Sequence, residues 1–431
     1  MHNLAKLLRQ RGEVDDAAEL LETGHAAAVA GGHLAQALSL TQALATLELQ
    51  REKPARALAL MDEVLAAKGK ASTSDDARSW VFIHMTRSHA LRKVGRVDES
   101  LASAELTLRL AEEIGIPDAT WQAWHDLGRA RYGVGQVDGA AEALTAAIEV
   151  IEDWRRGVAR ADRRSGFLDR KLPPFHRLLE LELERGRTDA ALRVAERTRA
   201  RALADALAVA APEPSADAEA SPLELPGEAA VVAFTVTGGQ LWIWSRPAPG
   251  EGPAASGGPP IEEAGRWTSV PIPEAELVTR VEDVRRALAD RSLGFKAPAA
   301  ELGQLLFGPI ARELAGARRL LLVPDGPLWD LPFSALELDG APLVNRFTLY
   351  SVPSLRVLAA LRLRPAAGRG DPLVLAGADG SGLVAQQAGA VAEVLGVKVL
   401  AGPDATTVAL QGHLESGPRL LHIAAHGIAD A

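Results

Sequence analysis

The stretch LGRARYGVGQVDGAAEALTAAI, Leu127 to Ile148, recurs along the first half of the chain. RSHALRKVGRVDESLASAELTL, from Arg87, repeats its pattern, and LAKLLRQRGEVDDAAELLETGH, from Leu4, repeats it again. A further copy surrounds Gly186, and a weaker one surrounds Glu52, where the turn glycine is missing. Most copies lie 40 to 43 residues apart, a period typical of proteins built from stacked helical repeats.

Each copy predicts two amphipathic helices joined by a short turn, because apolar residues recur at helical spacing on both sides of it. The turn glycine, as at Gly135, is expected to take the left-handed conformation that ends the first helix. The aspartate after it, as at Asp138, can cap the second helix. Small residues are expected where the paired helices approach closely, at Ala17, Ala57, Ala140 and Ala191. Since one pair cannot bury its own apolar face, a solenoid is predicted over residues 1–207.

This pattern resembles the tetratricopeptide repeat. The clearest copy carries the residue types of that family at Trp124, Leu127, Gly128, Ala140, Leu144 and Ala147. The usual tyrosine is displaced by one residue, to Tyr132, and the period is longer than the family's, which implies longer helices. The resemblance implies that the repeats bind a protein or peptide ligand.

The second half of the chain has a different pattern. Residues 208–228 are rich in Pro, Ala, Ser and Glu and predict an exposed linker, and residues 246–266 predict a loop of similar composition. A hairpin is expected around Gly238 and Gly239. Two helices are predicted, over 274–290 and 298–314. Apolar, β-branched segments follow at 318–326, 347–354, 371–378, 397–402 and 418–427.

Strands of this kind are typical of a parallel sheet that is buried on both faces. The predicted fold class is therefore an α-helical solenoid followed by an α/β domain with a mostly parallel sheet, over residues 229–431. In such sheets functional groups collect at the carboxyl ends of the strands.

The composition excludes several classes of function. A net charge of −9 argues against a nucleic-acid partner. The chain has no cysteine, which excludes disulfides, thiolate metal sites and a thiol nucleophile within these residues. No apolar run is long enough to span a membrane, and the first residues lack a signal peptide's apolar core, so a cytoplasmic location is expected. Only eight of the 47 basic residues are lysine, and GC-rich coding explains that bias, so single arginines are expected to carry little functional information.

His426 is the main candidate for chemistry. It follows a predicted strand and precedes Gly427, which exposes the imidazole at a carboxyl end. An uncommitted loop histidine is the alternative. His422 falls on the strand itself, about 13 Å from His426 along the chain, so a core or supporting role is favoured over a metal pair. Asp325, in a Pro-Asp-Gly turn, either bonds locally or accepts a hydrogen bond near His426, and the turn role is favoured.

Other motifs are weak. Ser334 lacks the glycine elbow of a serine hydrolase. GADGSG, from Gly377, lacks the lysine and the spacing of a phosphate loop. No cofactor and no metal site are predicted.

The second half resembles the CHAT domain, a caspase-like peptidase domain that follows tetratricopeptide repeats in bacteria. LLLVPDGPLWDLPFSAL, LYSVPS and DATTVALQGHLESGPRLLHIAAHG resemble its successive signatures, and ERTRARALADAL, Glu196 to Leu207, resembles the helix that joins it to the repeats. The resemblance implies a caspase-like fold, cysteine-dependent peptide hydrolysis and a catalytic role for His426. The family's cysteine would lie on the next core strand. The chain is therefore expected to be truncated before it and inactive as it stands.

Three hypotheses follow. In the first, the chain is part of a CHAT peptidase with a protein substrate, and its repeats bind a partner or regulator. In the second, it is a non-catalytic scaffold that binds proteins. A third, a metal or serine hydrolase that uses His426, has no supporting ligand set or serine elbow.

Overall fold

The computed structural model describes residues 2–67, 77–157, 167, 171–199, 229–248, 265–363, 370–377, 382–415 and 417–425. The chain divides into two compact units, residues 1–357 and 358–431. The described part of the first unit up to residue 199 is helical. Its helices are α1 (His2–Gln10), α2 (Val14–Ala30), α3 (Leu34–Gln50), α4 (Pro54–Ala67), α5 (Ala77–Lys93), α6 (Val97–Ile114), α7 (Pro117–Gly133), α8 (Val137–Arg156), α9 (Pro173–Glu184) and α10 (Thr188–Thr198).

Consecutive helices form hairpins at the predicted turns. The turn residue is left-handed in each case, with φ of 82° at Gly12, 81° at Gly95, 80° at Gly135 and 69° at Gly186. Glu52 takes the same conformation, with φ of 55°, although it is not glycine. The residue after each turn donates its N–H to the carbonyl five residues earlier, which is the hydrogen bond expected where a helix ends in a left-handed residue. The predicted turns are confirmed, including the one that lacks glycine.

The predicted aspartate cap is wrong. The second helices begin at Val14, Val97 and Val137, so the aspartate is the second helical residue and makes no capping hydrogen bond. Its charge still lies in the first turn, where it interacts favourably with the helix dipole.

Small residues occupy the helix crossings as predicted. Ala17, Ala57, Ala140 and Ala191 are fully buried. A Cβ added to Gly128 would lie 2.8 Å from Leu144 Cγ, so α7 and α8 approach closely there. In the preceding hairpin the equivalent positions are serines, and Ser100 Oγ donates to the carbonyl of Ser88 at 2.9 Å.

The first unit also contains a five-stranded sheet, in the order β3-β2-β1-β4-β7. β1 pairs antiparallel with β2 and parallel with β4, which pairs parallel with β7. The elements in chain order are β1 (Ala230–Thr237), β2 (Gln240–Arg246), β3 (Arg266–Pro271), α11 (Glu274–Ala289), α12 (Lys296–Phe307), β4 (Arg319–Val323), β5 (Glu337–Leu338), β6 (Ala341–Pro342), α13 (Leu343–Arg346), β7 (Thr348–Ser351) and α14 (Leu355–Leu363). The predicted hairpin at Gly238 and Gly239 is confirmed, since both have positive φ.

The mostly aliphatic core of this sheet contains a cluster of three phenylalanines. The rings of Phe234, Phe307 and Phe333 contact one another with centroids 6.0 to 6.2 Å apart. Phe234 comes from β1, Phe307 ends α12, and Phe333 belongs to the loop after β4. This cluster fixes the loop that follows Val323 against the sheet.

The second unit has a three-stranded parallel sheet in the order β10-β8-β9. Its elements are β8 (Leu373–Ala376), α15 (Leu383–Leu395), β9 (Val399–Ala401), α16 (Thr407–Glu415) and β10 (Leu421–Ala424). The central strand β8 is buried, whereas Leu421 and Ile423 of the edge strand β10 are 40% and 50% exposed. The expectation of strands buried on both faces therefore fits β4 and β8 but not the edge strands β7, β9 and β10.

Candidate functional site

Asp325 follows the carboxyl end of β4. The Pro-Asp-Gly segment ends the strand and leads into a short 3-10 helix, Gly326–Asp330, whose first residue has φ of 51°. The Asp325 carboxylate accepts a hydrogen bond from the N–H of Val236 at 2.9 Å. Val236 lies near the end of the neighbouring strand β1, so this carboxylate bonds across the sheet rather than within its own turn.

The same carboxylate lies close to the helical repeats. His176 of α9 is partly buried, and its burial lowers the pKa of the imidazole. The charge of Asp325 opposes that shift. The β1–β2 turn also packs against α9, because a Cβ added to Gly238 would lie 2.9 Å from Glu180 Oε1. The carboxyl end of β4 therefore faces the last hairpin of the repeats.

A buried ion pair joins the last repeat helix to the sheet. Arg199 Nη1 donates to Glu196 Oε1 at 2.6 Å, and the two side chains are 4% and 0% exposed. Arg199 also donates to Thr235 Oγ1 at 2.7 Å and to the carbonyl of Phe234, both on β1.

The other oxygen of Glu196 reaches the start of α14. Glu196 Oε2 accepts hydrogen bonds from Ser354 Oγ at 2.8 Å and from the N–H of Arg356 at 3.1 Å. The N–H groups of a first helical turn have no partner within their helix, so a carboxylate is a suitable acceptor there. One glutamate of α10 thus binds both Arg199 and the first turn of α14.

His422 lies on β10, opposite Val374 of β8. Its side chain is partly buried, and its Nε2 is a buried atom without a hydrogen-bond partner among the described residues. His426 lies outside the described residues. The proximity of His426 to Asp325 therefore stays a prediction.

The remaining sequence candidates gain no support. Ser334 is exposed in a 3-10 helix, Phe333–Ala335. Most of the GADGSG segment, residues 378–381, lies outside the described residues. In the part of the chain that is described, no three metal-binding side chains form a cluster. The helices described there include none that is long and apolar enough to cross a membrane.

Sequence reasoning missed the junction. Arg199 is buried and bonded to Glu196 and to β1, a structural role that the arginine-rich composition did not indicate. Glu196 and Arg199 were visible only as an i, i+3 pair of opposite charge at the end of a helix. That spacing is common on exposed helices, so nothing in the sequence marked this pair as buried.

Comparison with known families agrees with the second half of this architecture. Residues 296–431 match the CHAT domain. The matching segment follows the helical hairpins in the sequence. No curated protein matches the chain at a significant level.

Several solved structures are similar to part of this chain. Two structures of a Podosopora anserina protein with nearly identical TPR-like repeats are 21% and 20% identical to this chain, with TM-scores of 0.37 and 0.36. They cover 48% and 49% of this chain and 93% and 95% of their own. MamA of Desulfovibrio magneticus RS-1 is 14% identical over 44% of this chain and 87% of its own, with a TM-score of 0.29.

Proposed function

We propose that the helical repeats bind a protein partner and that the Glu196–Arg199 junction transmits the state of the repeats to the CHAT domain. The observation that carries this proposal is the bonding of Glu196, a repeat side chain that accepts hydrogen bonds from the first turn of α14. A displacement of α10 must either move that turn or break a buried charge network. Breaking such a network is costly, because it leaves a charge buried without its partner.

The chemistry proposed for the domain is that of its family, hydrolysis of peptide bonds. In this reaction a thiolate attacks the peptide carbonyl, and an imidazole protonates the leaving amine. His426 is the proposed imidazole, and Asp325 is the proposed neighbouring acceptor. Because these 431 residues include no cysteine, we propose that they hydrolyse no peptide by themselves.

A scaffold is the second candidate function. The lack of cysteine favours it, since a CHAT domain without a thiol can still be bound by other proteins. In this case the junction would only hold the domain against the repeats.

The proposal includes the predicted organisation and location. The repeats are assigned to residues 1–207, the linker to 208–228 and the CHAT domain to 229–431, in the cytoplasm. Limited proteolysis should cut first within residues 208–228, and cell fractionation tests the location.

The decisive experiment compares two proteins. The coding sequence is read beyond codon 431, and any continuing frame is expressed beside the 431-residue chain. Both are assayed on a fluorogenic peptide library. The peptidase proposal requires activity of the extended chain that disappears in His426→Ala and persists in His33→Ala, a matched change on an exposed repeat histidine. A stop codon, or an inactive folded extended chain, would favour the scaffold.

A further inference from the structure

One side of α1 is exposed although it carries the residue pattern of a buried one. Leu4 and Leu7 lie eight and five positions before the turn residue Gly12, and they are 51% and 45% exposed. The same two places in the later hairpins are held by Leu44 and Leu47, Arg87 and Ala90, Leu127 and Ala130, and Leu178 and Leu181. All of these except Arg87 are at most 4% exposed.

In the later hairpins, the hairpin before covers these positions. Leu47 of α3 shares a hydrophobic cluster with Leu21 of α2. Leu181 of α9 shares another with Ile148 of α8. In the same way α5 packs on α4, and α7 packs on α6. The first helix of a hairpin in this stack is therefore built to receive the second helix of a preceding hairpin.

A charged group belongs to the same receiving surface. Arg51, directly before the turn residue of the second hairpin, forms an ion pair with Asp15 of α2 at 2.7 Å. Arg185 holds the same place in the last hairpin and pairs with Asp138 of α8. Each aspartate is the second residue of its helix. In the first hairpin this place belongs to Arg11, which is exposed and has no carboxylate partner among the described residues.

The first hairpin thus carries both the apolar and the charged part of a stacking contact. The ion pair is a specific feature, since the third and fourth hairpins have valine instead of this arginine, at Val94 and Val134. Terminal repeats of stable arrays usually have a polar outer surface, which this end of the stack lacks. We call the surface formed by Leu4, Leu7 and Arg11 the stacking face.

A second copy of the chain has no surface that fits the stacking face. The second helices α2, α4, α6 and α8 already pack against the hairpin that follows each of them. After α10 the sheet takes this position, because Trp242 and Trp267 pack against the last hairpin and Trp267 Nε1 donates to the carbonyl of Thr188 at 3.1 Å. Two stacking faces placed together would bring like charges together. The fitting surface is therefore one that this chain does not present.

We propose that the stacking face binds a helical hairpin of a partner protein, whose second helix begins with an acidic residue that pairs with Arg11. This rests on the proposed role of the repeats in binding a protein, and it adds the surface and the class of partner. Burial of Leu4 and Leu7 favours the association, and the ion pair fixes its register. The partner continues the stack at its end.

The test uses a synthetic, fluorescently labelled peptide with the sequence of residues 117–156, the hairpin α7–α8, as the probe. Its binding to the full chain is followed by fluorescence anisotropy. Leu7→Glu should weaken binding at least ~10-fold, because it places a charge in the apolar contact. Val29→Glu is the matched control, since Val29 is a 59% exposed apolar residue of α2 away from the stacking face, and it should change the affinity by less than about twofold.

The ion pair is tested from both sides. Arg11→Gln should weaken binding by about two- to fivefold, as expected for an exposed pair, and so should Asp138→Asn in the peptide. The two losses should not add, because both changes remove the same pair. Fully additive losses would show that Arg11 and the peptide's aspartate do not meet.

A tethered form keeps the test decisive when the free peptide does not fold. The same hairpin is joined to the first residue of the full chain by a Gly-Ser linker, which raises its effective concentration to the millimolar range. Hydrogen exchange should then show protection of the α1 amides, which Leu7→Glu removes and Val29→Glu retains. Unprotected α1 amides, or equal responses to the two changes, would overturn the proposal.

Self-association of the chain would overturn it as well. If sedimentation showed a dimer of the wild-type chain that Leu7→Glu converts to a monomer, the occupant would be a second copy. None of these measurements involves the Glu196–Arg199 junction or a peptidase assay. Their failure therefore leaves the proposed transmission through the junction standing, and a failure of the junction leaves the docking standing.

Discussion

The helix crossings of the repeats and the junction between the repeats and the sheet are both buried, but different chemistry holds them. At the crossings, residues such as Gly128 and Ala140 remove side-chain volume so that two backbones approach closely. At the junction, Glu196 and Arg199 are buried charges that bond each other and neighbouring groups, although Arg199 Nε has no partner among the described residues. The crossings tolerate little added volume, whereas the junction tolerates little loss of charge. The crossings recur from hairpin to hairpin, whereas the junction is one contact between α10 and the start of α14.

The largest effect is expected at the junction. Glu196→Leu should lower the free energy of unfolding by about 3–5 kcal/mol, because it leaves Arg199 buried without its carboxylate. Chemical denaturation measures the change. The double change Glu196→Leu with Arg199→Met should recover much of the loss. Glu276→Ala, which breaks an exposed pair with Arg280, is the matched control and should cost under about 1 kcal/mol. If Glu196→Leu lowered the free energy of unfolding no more than Glu276→Ala does, the buried pair would contribute no more to stability than an exposed one.

Overpacking a crossing should have the next largest effect. Ala140→Trp should destabilise the chain by about 1–3 kcal/mol or more, because Ala140 is fully buried against α7. Thermal melting detects this loss. Ala102→Trp places the same ring on an exposed position of α6 and should melt within a few degrees of the wild type. If both variants melted alike, close approach of α7 and α8 would not limit side-chain volume.

These two regions also show what the sequence could predict. The crossings and turns follow from self-comparison, because every copy needs some small residue at the crossing and the same left-handed turn. The junction is a single contact between distant segments, since Glu196 and Ser354 are 158 positions apart. No local pattern specifies such a contact. The candidate site was predictable in part. The Pro-Asp-Gly motif identified Asp325, but only the structure shows that its carboxylate bonds the N–H of Val236 on the neighbouring strand.

His125 of α7 tests whether the repeats, too, hold an ionisable group at a cost to stability. His125 has a pKa of about 3 in the folded chain and about 6.5 when unfolded, so the unfolded chain binds its proton first on acidification. The contribution of His125 to the free energy of unfolding is therefore complete above pH 6.5 and decreases as the pH drops toward 3. At pH 5 the loss is at most about 2 kcal/mol. His125→Gln should flatten this fall in denaturation curves measured between pH 7 and 5. Asp126, with its raised pKa, has the opposite slope between about pH 4 and 6. An unchanged pH dependence in His125→Gln would contradict the buried, neutral imidazole.

The smallest effect is expected at the one turn without glycine. Glu52 holds φ of 55°, and a side chain in this conformation costs about 1 kcal/mol that glycine avoids. Glu52→Gly removes this strain but also removes the exposed ion pair with Lys93, which contributes about 0–1 kcal/mol. The net result should be a gain of a few tenths of a kcal/mol, read as a small rise in the melting temperature. Glu52→Ala separates the two contributions, because it loses the pair and keeps the strained conformation, and it should be the less stable of the two. At Gly135 the reverse change, Gly135→Ala, should cost about 1 kcal/mol or more, since its φ is 80°. If Glu52→Gly were less stable than Glu52→Ala, the left-handed conformation at residue 52 would cost less than the backbone entropy that glycine adds to the unfolded chain.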